Sequence, residues 1–187
     1  MAKQKFTNVT INTNLVPSLA IQLRAAYGLK QMIETGTYYG DTAVMGALLF
    51  DSVLTCELVP ETFPTAAPRL AQYPNVMYCA GDSAAWLRSR LFETEPASLF
   101  WLDAHWTGIG PRPEAGDSPI LDELAAIRSL LGKHVVLVDD VRLFGSQGWP
   151  TLKELEKAAG LMGGYVQHIG DVLVVTPTPF AYKVPPT

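Results

Sequence analysis

Three short stretches hold the side chains best suited to chemistry: LDAHW with Asp103 and His105, VDDVR with Asp139 and Asp140, and ETGTYYG with Glu34, Gly36 and Gly40. The first two each follow a run of apolar, strand-like residues, SLFWL (98–102) and HVVLV (134–138). If those strands are neighbours, their backbones lie about 5 Å apart and three carboxylates meet at one sheet edge. Like charges held that close repel, and without a cation some stay protonated. A divalent metal resolves the repulsion, and an all-oxygen donor set favours magnesium or calcium over zinc. Successive residues of a strand point to opposite sides, so Asp139 and Asp140 share one metal only if the chain bends between them.

His105 lies two residues after Asp103 and points to the same side of an extended chain. An imidazole titrates near neutrality, so His105 is either a general base or a polar loop residue supporting the acidic cluster. His134 and His168 read as structural. Trp106, Tyr38 and Tyr39 are either acceptor-pocket or core residues, and Arg112 and Arg142 are solvated or salt-bridged.

ETGTYYG raises a different possibility. An acid ends a buried strand, and two glycines four apart let the backbone turn tightly beside a ligand. Glu57 follows a second strand in VLTCELV, about 20 residues beyond the first glycine, where an acid can accept both hydroxyls of a ribose. Gly81-Asp82-Ser83 follows a third strand at the start of a helix. Side by side, these strand ends form a slot of nucleoside size. The G-x-x-x-G spacing departs from the dinucleotide signature G-x-G-x-x-G, and Glu34 would oppose a pyrophosphate at a helix N-terminus. A carboxylate suits a cation, and S-adenosylmethionine carries an ammonium, a sulfonium and no phosphate.

The elements that must position these residues alternate along the chain. Strands are predicted at 31–34, 53–59, 76–79, 98–102 and 134–138, with two more in YVQHIGDVLVVTP turning at Gly170-Asp171. Helices are predicted at 41–50, 61–72 (kinked early by Pro64), 83–92 and 151–159. A further helix starts at Ser118-Pro119, with Ser118 as cap, Pro119 in the first turn and Asp122 and Glu123 facing the dipole. The pattern implies one α/β domain over residues 1–187, its mostly parallel sheet covered by helices on both faces, with ligands at the carboxyl ends of the strands. Thr107–Asp117 holds three glycines and two prolines and reads as a lid loop.

Composition narrows the function classes. The chain has 187 residues, a net charge of -4 and 48% hydrophobic residues, enough for one domain with a core. That charge is no footprint for nucleic acid or anionic lipid. The longest uncharged apolar run, 43–50, is too short to cross a bilayer. MAKQKFTNVT has no apolar signal core, so a cytoplasmic protein is expected, with Cys56 and Cys79 buried and reduced. The expected partner is a small-molecule acceptor; a homodimer is compatible with the sequence.

From about Gln31 to Pro177 the sequence resembles the class I S-adenosylmethionine-dependent methyltransferases: ETGTYYG is a variant of their first motif, Glu57 matches the ribose acid, and GDSAAWL the adenine segment. The resemblance implies a Rossmann-like, mostly parallel seven-stranded sheet with a C-terminal antiparallel hairpin. It places Glu34, Gly36, Thr37, Tyr38, Gly40, Thr42, Glu57, Leu58, Gly81, Asp82, Ser83 and Asp103 along the cofactor. One Asp after strand four and an acidic pair after strand five resemble the metal-dependent macrocin O-methyltransferase-like enzymes and, more distantly, catechol O-methyltransferase. That implies Asp103, Asp139 and Asp140 as ligands of a divalent metal, magnesium first, with Asp103 and His105 catalytic. Two features depart from the pattern. Tyr38 stands where the central glycine is usual, and Thr107 follows the Trp where catechol enzymes carry a lysine.

The implied reaction is O-methylation of a hydroxyl on a sugar or a phenol-like molecule. Two other classes compete. Asp-Ala-His also resembles the ureohydrolases, which need a further Asp where Thr107 stands and a longer chain. A non-catalytic nucleoside-binding module would keep the slot without the chemistry.

Overall fold

Seven strands pair into one sheet in the order β3-β2-β1-β4-β5-β7-β6. The structure is a computed structural model and describes residues 15–89, 96–110, 114 and 116–185. The strands are β1 (Gln31–Thr35), β2 (Ser52–Glu57), β3 (Val76–Ala80), β4 (Ser98–Leu102), β5 (Val135–Val138), β6 (Tyr165–Ile169) and β7 (Val172–Thr176). The first five run parallel; β7 is antiparallel to both β5 and β6. Both expectations, the parallel sheet and the terminal hairpin about Gly170-Asp171, hold. Short β-branched and aromatic runs such as VVLV and SLFWL are buried along their whole length, as central parallel strands require.

Strand alternation divides the core in two. Ile33, Cys56, Phe100, Leu102, Val136 and Val138 face α4 (Ser83–Ser89), α5 (Ile120–Ile127) and α6 (Leu152–Gly160). Met32, Val53, Leu99, Trp101, Val135 and Leu137 face α1 (Leu15–Tyr27), α2 (Asp41–Leu49) and α3 (Phe63–Leu70). Thr151 caps α6 in a reciprocal box with Glu154.

Several boundaries differ from expectation. Helix α1 was not anticipated, although Val16, Leu19, Ala20 and Leu23 recur at helical spacing and the last three are fully buried. It is tied to the C-terminal segment, where Gln22 meets the Lys183 backbone and the Tyr27 hydroxyl donates to the Thr178 carbonyl. The helix predicted over 61–72 is a 3-10 turn, Pro60–Thr62, followed by α3; Pro64 stands at its start, where a missing N–H costs nothing. Helix α5 begins one residue later than expected. Pro119 is its N-cap, and Ser118 accepts only a long bond from the Ile120 N–H (3.4 Å); Asp122 and Glu123 stand in the first turn as expected, Glu123 fully buried. β2 stops at Glu57, and β5 starts after His134. Residues 90–92 of the predicted fourth helix lie outside the described residues.

Candidate cofactor and metal site

The carboxyl ends of β1, β2, β3 and β4 are laced by backbone bonds: Gly36 N–H to Cys56 O (2.9 Å), Gly81 N–H to Glu57 O (2.8 Å) and Asp103 N–H to Thr35 O (3.1 Å). The segments read as a nucleoside slot are therefore neighbours in space. Gly36 has φ +83°, and a Cβ there would lie 2.6 Å from the Asp103 carbonyl oxygen, so the close approach of β4 requires this glycine. At position 38, where the resembling family carries glycine, Tyr38 takes the left-handed conformation with φ 48°. Its ring packs on that of Tyr39 with centroids 3.9 Å apart and planes tilted by 34°, and the residue is 38% exposed. Gly40 caps α2 in the same left-handed region, close against Leu70, ahead of Thr42 in the first turn.

Two acids order these turns. Glu57 accepts the Tyr38 N–H on Oε2 (2.7 Å) and the Val59 N–H on Oε1 (2.8 Å), which ties the end of β2 to the β1–α2 turn and fixes its own chain about Leu58. Each oxygen keeps a second lone pair for a hydroxyl. Glu34 is 1% exposed and accepts the Thr55 hydroxyl at 2.5 Å; Thr55 also meets the Thr37 hydroxyl. Burial pushes the Glu34 carboxyl well above its ordinary range; Thr55 opposes the shift, and the charges of Asp103 and Glu57 add to it. On β3's side, Asp82 accepts the Ala85 N–H at the start of α4 (2.7 Å), and Ser83 is buried.

The acidic cluster forms at the ends of β4 and β5. Asp140 has φ 57°, which supplies the bend that two adjacent carboxylates need to act at one place. Asp139 turns back to accept the Asp140 N–H (2.8 Å). His105 Nε2 lies 3.1 Å from Asp140 and 3.9 Å from Asp103, and the donor atoms of these three residues all fall within 4.8 Å of one another. Asp139, Asp140 and Asp171 form a second group at the same spacing. Arg142 pairs with Asp140 (2.5 Å) and with Asp171. Its reading as a salt-bridged arginine holds, whereas Arg112 lies outside the described residues.

The charges are unequally balanced. Against the effect of burial, His105 and Arg142 hold Asp140 below the ordinary carboxylate value. Burial, then Asp139 and Asp140, pushes Asp103 well above it; burial pushes Asp139 up to about 6. The hydrogen bond to Asp140 raises His105 against its own burial. Uncompensated carboxylates with donor atoms at ligand spacing fit a hard divalent cation. A cavity of about 10 Å³, room for one water or ion, opens beside them between Asp103, His105, Asp139, Ser118, Phe144 and Trp149.

Reading the sequence alone missed several residues of this site. Asp171 reaches it because β7 lies antiparallel beside β5, which sets the hairpin turn next to Asp140; Val141 N–H bonds the Asp171 carbonyl (3.0 Å). Trp149 rests on His105 and Phe144, with ring centroids 5.3 and 5.2 Å apart. No local pattern marks either. The loop read as a lid has residues 111–113 and 115 outside the described residues; its two ends are held by Trp106 N–H to Asp117 O and Asp117 N–H to Gly148 O, both 2.7 Å. His134 accepts the Ser98 N–H and His168 meets Glu156, so both are structural as expected. Cys56 is buried, Cys79 only half so, and both are reduced.

No family model matches the sequence, and no curated protein matches it. Solved structures do. One is a Staphylococcus aureus protein assigned as a caffeoyl-CoA O-methyltransferase, 17% identical, TM-score 0.61, over 90% of this chain and 86% of that one. Another is the SAH-bound Podospora anserina methyltransferase PaMTH1, 16% identical, TM-score 0.61, over 89% and 79%. A third is the Streptomyces achromogenes O-methyltransferase TomG of tomaymycin synthesis, in complex with SAM, 16% identical, TM-score 0.57, over 86% and 79%.

The chain has the class I methyltransferase fold. In this methyltransferase fold the slot between the β1, β2 and β3 ends and the acidic cluster beyond β4 are adjacent and share Asp103. No helix among the described residues is long and apolar enough to cross a membrane.

Proposed function

We propose that the protein binds S-adenosylmethionine and methylates a hydroxyl of a small molecule, sugar or phenol-like, in the cytosol. The observation that carries this reading is the convergence of Glu34, Glu57 and Asp103 on the end of β1, where Glu34 is fully enclosed in the field of the other two acids. Such a place favours a cationic ligand over a phosphate. That similar folds were solved with SAM or SAH bound supports the same choice. Glu57 accepts the ribose hydroxyls on its remaining lone pairs, Gly81-Asp82-Ser83 borders the adenine, and Asp103 faces the positive tail with the buried Glu34 behind it.

A divalent cation fits the cluster, with Asp103 and Asp140 as its carboxylate ligands and His105 or Asp139 alongside them. Bound there, it would lower the pKa of the acceptor hydroxyl. The chain itself supplies a wall: Trp149 and Phe144 line the small cavity beside Asp103, which has room for a cation or a water, so the acceptor hydroxyl would meet the cluster at its mouth. His105, oriented by Asp140, is the proton acceptor if turnover persists without metal and a third ligand if it does not.

Calorimetry tests the cofactor: S-adenosylmethionine and S-adenosylhomocysteine should bind and NAD should not. Tight NAD binding with no response to S-adenosylmethionine would sink the proposal. Transfer of a labelled methyl group to a panel of hydroxyl compounds then separates an enzyme from a binding module.

A further inference from the structure

Glu123, on the first turn of α5, takes no part in the chemistry above, yet it is the least accommodated polar side chain near the slot. It is 0% exposed, and neither carboxyl oxygen makes a hydrogen bond of ordinary geometry. The Thr35 hydroxyl, also fully buried, makes no hydrogen bond of ordinary geometry either. These groups lie together: Glu123 faces the hydroxyls of Ser83 and Thr35, with the carboxylates of Asp82 and Asp122 and the Cys56 thiol nearby. Cys56 in turn donates to the Gly81 carbonyl (3.3 Å). A buried polar group without partners is destabilising, so a chain keeps one where it serves something else.

We infer that Glu123 is a positioning residue for the nucleoside slot: it bonds the Thr35 and Ser83 hydroxyls as the Gly81–Ser83 turn closes on the cofactor, and so sets that turn against the end of β1. Outside its own helix, the residues around it belong to or adjoin slot segments. Thr35 precedes Gly36, Cys56 precedes Glu57, and Ser83 ends the turn after β3. Burial, reinforced by Asp82 and Asp122 and opposed by the two hydroxyls, pushes its carboxyl up to about 7, so below that pH it can donate as well as accept. The inference rests on the slot being a cofactor site.

The test separates stability from binding. Glu123→Met keeps the volume and removes the unpartnered oxygens, so the variant should melt at or above the wild-type temperature. Its affinity for S-adenosylhomocysteine should nonetheless fall about three- to ten-fold, the worth of a hydrogen bond or so. Glu123→Gln, which keeps a donor and an acceptor, should bind within about two-fold of wild type, and Glu123→Met with Ser83→Ala should be non-additive. Unchanged affinity in Glu123→Met, or parallel loss of stability and affinity in both variants, would overturn the inference. If Glu123→Met does not fold, Thr35→Val and Ser83→Ala replace it, and wild-type affinity in both overturns it equally. Wild-type protein that binds no S-adenosylhomocysteine would instead refute the cofactor reading, and the slot this role requires with it.

Discussion

Glu57 holds the Tyr38 backbone N–H at 2.7 Å, so the acid read as a ribose acceptor also fastens the left-handed residue of the β1–α2 turn. One side chain both presents lone pairs to the slot and shapes its rim. Glu57→Ala should therefore weaken cofactor binding by about ten-fold or more, losing hydroxyl contacts and turn geometry together. Glu61→Ala, on an exposed position of the following 3-10 turn, should change it little. Calorimetry on the pair distinguishes a specific acid from a general charge effect.

Tyr38 pays for its φ of 48° with strain that glycine would not feel. Tyr38→Gly should raise stability by about 1 kcal/mol or leave it level, since the relieved strain is offset by glycine's greater freedom in the unfolded chain. Urea unfolding measures it. A loss well beyond that range would mean the Tyr38–Tyr39 stack, not the turn, dominates the site.

Gly36 has no such latitude. An added Cβ would lie 2.6 Å from the Asp103 carbonyl oxygen, against backbone that cannot swing aside. Gly36→Ala should destabilise by about 2–4 kcal/mol, combining left-handed strain with overpacking. Gly145→Ala has similar φ but open space around it, so it should cost only the strain, about 1 kcal/mol. Equal losses in the two would remove the packing argument.

Protonation of Glu123 sets a pH dependence of folding. Its native value, about 7, exceeds the ordinary 4.5, so between these limits the native state binds more protons than the unfolded chain. Stability should fall as pH rises from about 4.5 to about 7 and level off above, and Glu34 acts in the same direction. Melting temperatures across that window should slope less in Glu123→Gln than in wild type. An unchanged slope would place the titration elsewhere.

Metal dependence divides the carboxylates. Chelator should reduce turnover far more than cofactor affinity, because the cation acts on the acceptor, while Asp103→Asn should reduce turnover at least as much and also weaken the cofactor, whose tail Asp103 faces. Asp139→Asn should cost less than Asp103→Asn, since Asp139 lies outside the Asp103–His105–Asp140 group and already accepts the Asp140 N–H on one oxygen. Full turnover in chelator would leave His105, oriented by Asp140, as the base.

The sequence by itself determined the strands and their class. Runs such as SLFWL and HVVLV are too apolar for an exposed strand, and helical spacing between them forces parallel crossovers. It also marked Glu34, Glu57, Asp103 and the acidic pair, because residues just after parallel strands gather at one edge whatever the details. Tertiary structure decided what those residues meet. Asp171 and Trp149 come from distant segments, and Arg142's double pairing exists only because β7 folds back antiparallel beside β5. Glu123 is the first-turn acid that the sequence marks, but only the packing of α5 on α4 and β1 shows that it is buried. The left-handed turn at Asp140 was written in the sequence only as a requirement, since adjacent strand residues diverge unless the backbone bends, and the fold supplies the bend. Local periodicity encodes which elements form and which face is apolar. Which side chains from far-apart strands share a few ångströms depends on strand order and register, and these are fixed by packing of the whole sheet.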